Sequence, residues 1–101
     1  MEAITTRTFS PPPPKLKKWC DRWNKAARKA GVDKVNMAAR VVSRPNGLKP
    51  VLHLSLVRIG QPAVVHSFKG LADMEITDEM LWKATDELTV AAEIKTKVKI
   101  Q

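Results

Sequence analysis

Residues 15–30 read KLKKWCDRWNKAARKA, and this stretch decides how the chain must fold. At 100° per residue, its apolar side chains fall within about 120° of a helix surface, and every Lys and Arg lies outside that arc. The apolar set is Leu16, Trp19, Cys20, Trp23, Ala26, Ala27 and Ala30. Gly31 is suited to end the helix, and Arg28 and Lys29 suit the negative end of its dipole. The stretch therefore predicts a helix with one buried face and one strongly basic face.

Three short runs with alternating side chains follow, at residues 35–44, 50–59 and 63–69. Turn residues separate them, with Pro-Asn-Gly at 45–47 and Gly-Gln-Pro at 60–62. Asn-Gly is a strong signal for chain reversal, and short connections favour antiparallel neighbours. In the second run, Leu52, Leu54 and Leu56 share one face. The pattern predicts an antiparallel meander with one apolar face.

A second helix is predicted after Thr77, which is suited to be its N-cap, with Asp78 and Glu79 in the first turn. The apolar face weakens near residues 89–93, where we expect the helix to fray. Residues 94–100 then alternate apolar residues and Thr with three lysines, which is a strand pattern with the lysines typical of a protected edge. Residues 1–10 are also compatible with an edge strand, or with a loose arm.

The fold class that these elements predict is α+β, in the order α-β-β-β-α. We expect a three-stranded antiparallel meander with both helices on one face, because each needs the other's apolar surface. Extra edge strands are possible at both termini. Residues 1–14 are interpreted as an N-terminal arm with a stiff polyproline spacer at 11–14, and residues 15–101 as a single domain, since 101 residues cannot enclose two cores.

The charge of the chain is divided unevenly along its length. Residues 1–49 hold twelve Lys/Arg and three acids, a net charge of +9, whereas residues 50–101 hold six Lys/Arg and seven acids, a net charge of −1. A field of this kind favours phosphate-bearing polymers as partners. The leading hypothesis is a non-catalytic protein that binds the backbone of DNA or RNA, of either strand type, with little sequence preference. The predicted contacts are Lys15, Lys17, Lys18, Arg22, Lys25, Arg28, Lys29, Arg40, Arg44 and Lys49.

The same positive field supports a second hypothesis, a small adaptor or inhibitor that docks on an acidic protein partner by charge complementarity, such as a viral or phage accessory protein. Trp82 projects among Asp86, Thr89 and Glu93 on the predicted second helix, which makes it a candidate protein interface. The alternative is that Trp82 covers the sheet edge or the N-terminal segment. The charge division also suggests a homodimer, in which acids of one copy meet the basic helix of another.

No arrangement of side chains argues for catalysis, for a cofactor or for a metal. His53 and His66 lie on neighbouring predicted strands and could face each other, but two histidines alone make a weak metal site. Cys20 lies on the apolar arc, where we expect an inert buried thiol. Without a membrane span or a signal peptide, the expected location is soluble and intracellular, in the cytoplasm of a cell or of an infected host.

The element order resembles that of double-stranded-RNA-binding domains. The resemblance would imply phosphate contacts at the start of the second helix. At that position this chain has Thr77, Asp78 and Glu79, which would repel phosphate. We therefore do not assign the chain to that family, and we expect the first helix to be the contact surface.

Overall fold

A computed structural model of the chain describes residues 9–10, 12–43, 50–71 and 73–100. The strands are β1 (Phe9–Ser10), β2 (Val35–Val42), β3 (Val51–Arg58) and β4 (Val64–Phe68), and the helices are α1 (Pro14–Lys29) and α2 (Asp78–Ala91), the latter preceded by a 3₁₀ turn at Asp73–Glu75. The predicted order α-β-β-β-α is confirmed, with the short β1 added before it. Within the described ranges, neither helix is long and apolar enough to cross a membrane.

The four strands form one antiparallel sheet in the order β1-β2-β3-β4. Side chains on one of its faces are buried against the two helices: Met37, Ala39, Leu52, Leu54, Leu56 and Phe68. The alternate residues point the other way, and Val57 and Val65 there are 40% and 52% exposed. The helices therefore cover one face of the sheet, as the alternating pattern predicts, and on the other face the paired Val42 and Val51 at one end are also buried.

Helix α1 begins and ends as its sequence suggests. Pro13 has φ −58° and ψ 151°, so the extended proline segment leads directly into the first turn, where Pro14 needs no backbone donor. At the other end Gly31 has φ +82°, and the N–H of Val32 donates to the carbonyl of Ala27 at 2.9 Å. This closed turn satisfies the last carbonyls of the helix. Between the two ends, the buried residues are Leu16, Trp19, Cys20, Trp23 and Ala27.

The side-chain amide of Asn24 fastens α1 to the outer edge of β2. Its Nδ2 donates to the carbonyl of Met37 at 3.0 Å, and its Oδ1 accepts from the N–H of Met37 at 2.8 Å. The amide thus takes the place of a neighbouring strand at this point. Because β1 pairs only with Val41 and Val42 of the same edge, Asn24 closes a part of β2 that β1 does not reach.

Helix α2 has caps at both ends. The hydroxyl of Thr77 accepts from the N–H of Met80 at 3.2 Å, which confirms the predicted N-cap. The helix ends at Ala91, within the stretch 89–93 where it is expected to give way, and a closed turn follows. Glu93 adopts φ +59°, Ile94 donates to the carbonyl of Thr89 at 3.0 Å, and Arg58 donates from β3 to the carbonyl of Ala92 at 3.1 Å.

The prediction of an edge strand at residues 94–100 is wrong. No described residue in this tail belongs to a strand, and Ile94, Val98 and Ile100 pack against the core. The turn at Glu93 directs the tail along the helix layer, where residues 94–98 line a small cavity together with Trp23, Trp82 and Thr85. At the opposite end, a two-residue β1 pairs with β2, so the predicted N-terminal edge strand is present at Phe9–Ser10.

Replacing Asn24 with Ala should destabilise the fold, because it leaves both backbone groups of Met37 without their partner. We expect a loss of about 2–3 kcal/mol in the free energy of unfolding, measured by urea denaturation. Lys25→Ala, one residue along the exposed face, is the control and should change stability by less than about 0.5 kcal/mol. Equal stabilities for the two variants would show that the amide does not hold the helix to the sheet.

Candidate nucleic-acid interface

The exposed side of α1 carries a stripe of cations. Lys18, Arg22, Lys25 and Lys29 are all exposed, and their spacing places them within about 60° of the helix surface. The opposite side of the same helix is buried against the sheet. Burial of the apolar arc therefore determines which way the cations point, and they point away from the core.

A shallow depression of about 250 Å³ lies on this side of the molecule, lined by Ala26 and by Arg22, Lys25, Lys29 and Lys99. We call these four cations the basic cluster. Three belong to α1, and Lys99 comes from the tail, seventy residues after Lys29 (99 − 29). Lys99 is not among the contacts predicted from the sequence, because the predicted strand places the tail with the sheet.

No described carboxylate lines the depression. Lys25, Lys29 and Lys99 form no ion pair with any described residue, and neither does Lys18 beside them. Like charges this close repel one another, and a bound anion would relieve the repulsion. The surface is thus electrostatically suited to a polyanion, and the affinity for such a ligand should fall as the salt concentration rises.

Two of the predicted contact residues already form polar contacts with other groups of the protein. The Nζ of Lys15 donates to the carbonyl of Ile76 at 2.7 Å and lies 3.5 Å from a carboxylate oxygen of Asp78, so it links the starts of α1 and α2. Lys17 pairs with Asp21, one turn along α1, at 3.0 Å. Neither lysine lines the depression, although both keep exposed side chains.

The remaining predicted contacts are not gathered at one place. Arg28 is exposed on α1 but does not line the depression. Arg40 pairs in register with His53 and lies on the sheet face opposite the helices, so it does not extend the basic cluster. Arg44 and Lys49 lie outside the described residues. Of the ten predicted contacts, the structure brings Arg22, Lys25 and Lys29 together around the depression.

Trp82, on α2, packs against Trp19 of α1. Its ring meets that of Trp19 edge-on, with the centroids 5.1 Å apart and an interplanar angle of 88°, and it remains 39% exposed. Trp19 itself is buried and donates its indole N–H to the hydroxyl of Thr85 at 3.0 Å. Trp82 therefore packs over Trp19, and its exposed part is still available to a partner.

Neither the histidines nor the cysteine forms a reactive centre. Leu54 pairs with His66 in register, and His53 pairs with Ser67, so the two histidines lie on opposite faces of the sheet, and the expectation that they could face each other is wrong. Among the described residues no group of His, Cys, Asp and Glu could hold a metal ion. Burial, reinforced by the charge of Asp21, raises the pKa of the Cys20 thiol to about 12, so it stays protonated at neutral pH.

Comparison of the chain with protein-family models, with curated proteins and with solved structures finds no match.

The two tryptophans that differ in burial should differ in their contribution to stability. Trp23 is 0% exposed, so Trp23→Ala creates a large cavity and should cost about 3–5 kcal/mol in thermal or urea unfolding. Trp82→Ala removes one edge contact and a half-exposed ring, and should cost about 1–2 kcal/mol. A loss for Trp82→Ala as large as that for Trp23→Ala would contradict its placement at the surface of the helix layer.

Proposed function

We propose that this chain binds the phosphate backbone of nucleic acid through the basic cluster, extended along α1 by Lys18. The observation that carries the proposal is the convergence of Arg22, Lys25 and Lys29 with Lys99, from a distant segment, around one depression that no described carboxylate lines. Three lysines supply mobile point charges, and Arg22 supplies a planar fork that suits a phosphate group. Phosphate contacts of this kind provide affinity without reading base sequence.

The burial of the aromatic residues supports backbone binding over base recognition. Single-stranded nucleic acid is usually held by bases that stack on exposed aromatic rings. On α1, Trp19 is 5% exposed and Trp23 is 0% exposed, so neither ring can receive a base. The interface is thus formed by cations alone, and we expect duplexes to bind at least as well as single strands.

The slope of the binding constant against salt concentration should report how many cations of the protein contact phosphates and displace counterions. About five cations are in reach, so a titration against duplex DNA and duplex RNA should give a log–log salt slope of about −4 to −5, with little effect of base sequence. A folded acidic protein partner would give a shallower slope and would lose affinity on Trp82→Ala. No duplex or single-strand binding at about 50 mM salt would contradict the proposal and favour the adaptor hypothesis.

Charge reversal within the cluster should weaken binding more than the same reversal elsewhere. Lys25→Glu with Lys29→Glu should lower duplex affinity by about 100-fold or more at about 100 mM salt, since two phosphate contacts become repulsive. Lys34→Glu with Lys69→Glu is the matched control, because it changes two exposed lysines off the cluster and alters the net charge equally. Lys99→Ala should lower affinity by several-fold. Equal losses for the two double variants would show that net charge alone, and not this surface, determines binding.

A further inference from the structure

Strand β4 ends the sheet, and no described strand pairs with its outer edge. The opposite end of the sheet is closed by β1 and by the Asn24 amide. Natural sheets blunt an open edge with charged residues, proline or a bulge. Residues 64–68 read VVHSF, with no lysine, carboxylate or proline among them, so this edge lacks those features.

The pairing of Asn24 with Met37 shows, through the strand register, which backbone groups of β4 face outward. Met37 directs its N–H and carbonyl to the outer edge of β2, so its partner Leu56 directs its own groups away from β2 and towards β4. Val64, which pairs with Leu56, then bonds to β3, and so does His66 two residues on. The N–H and carbonyl groups of Val65 and Ser67 therefore point to the open edge.

A groove of about 480 Å³ runs beside this edge, between β4 and α2. Phe68, Leu71, Met80 and Ala84 form its apolar part, and Lys83 and Glu87 lie one helical turn apart on its α2 side. The Oε1 of Glu87 also lies 3.4 Å from the Nδ1 of His66, so this face of α2 is close to the centre of β4.

The charge pattern of this surface is complementary to itself. If two α2 helices lie antiparallel across a two-fold axis, Lys83 of each copy meets Glu87 of the other, and both side chains are exposed. Repulsion between copies is also lower here than at α1, because residues 50–101 carry a net charge of −1, whereas α1 carries seven Lys/Arg and one Asp.

We propose that two copies of the chain associate through β4. Their open edges pair antiparallel about a two-fold axis at His66, so that Val65 of one copy bonds to Ser67 of the other, and the two α2 helices pack with Lys83 opposite Glu87. The sheet becomes continuous across the dimer. This interface does not depend on the proposed binding of nucleic acid.

One consequence does rest on the proposed function. The two-fold axis is perpendicular to the sheet, so both helix layers lie on the same side. With strands about 4.8 Å apart, α1 above the outer part of β2 lies about 12–17 Å from the axis. The two basic clusters are then about 25–35 Å apart, close to one turn of duplex DNA.

Sedimentation velocity of the full chain without nucleic acid tests the interface, at about 150 mM salt and from about 1 to 300 µM. We expect a monomer–dimer equilibrium. K83E and E87K should each weaken the dimer by about tenfold or more, since both opposed pairs become repulsive. An equimolar mixture of K83E and E87K should form a heterodimer at least as tight as the wild type, and the double swap K83E/E87K should restore the homodimer.

Val65→Pro removes a donor from the open edge without removing a bond to β3, and it should give a folded monomer by circular dichroism. The charge variants keep the proposal testable if this variant fails to fold. A wild-type chain that stays monomeric over the whole range would overturn the proposal and leave the edge to an extended peptide of another protein. A dimer that K83E, E87K and Val65→Pro leave unchanged would show that the copies meet elsewhere.

Discussion

The paired hydrogen bonds between the Asn24 amide and the backbone of Met37 are the contact on which the rest of the structure depends. They hold α1 along the outer edge of β2, where its tryptophans reach the sheet and its cations face outward. They also show which backbone groups of β2 face outward, and the register extends that alternation to β3 and β4. The same side chain thus positions the helix that carries the basic surface and reveals the register that leaves the outer edge of β4 unpaired.

The basic surface follows from the need to bury an apolar arc beside many charges. Leu16, Trp19 and Trp23 enter the core, and this leaves Lys18, Arg22, Lys25 and Lys29 on the far side of α1. The closed turn at the end of α2 then brings the tail back across the helices and adds Lys99 to them. The surface is costly in repulsion when nothing is bound, which is the physical argument for an anionic partner.

The periodicity of the sequence predicts the elements well, because each buries one face of regular spacing. It predicts α1, the three main strands and the Thr77 cap, and it predicts that the cations of α1 lie on its exposed face. It does not predict the path of the tail, because the turn places Glu93 at a left-handed position where glycine is usual and no sequence signal marks it. The separation of His53 from His66 depends on the register across the turn before β4, and the partner of Lys15 lies 61 residues away, so neither is encoded locally.

The most direct test of this account is a map of the contact surface by NMR, with isotope-labelled chain titrated with a short DNA duplex and, separately, a short RNA duplex. The account predicts that backbone shift changes concentrate at residues 18–29 of α1 and at residues 97–100 of the tail, while β4 and the sheet face around Arg40 stay unchanged. Shift changes centred on Arg40 and His53, or none with either duplex, would contradict it.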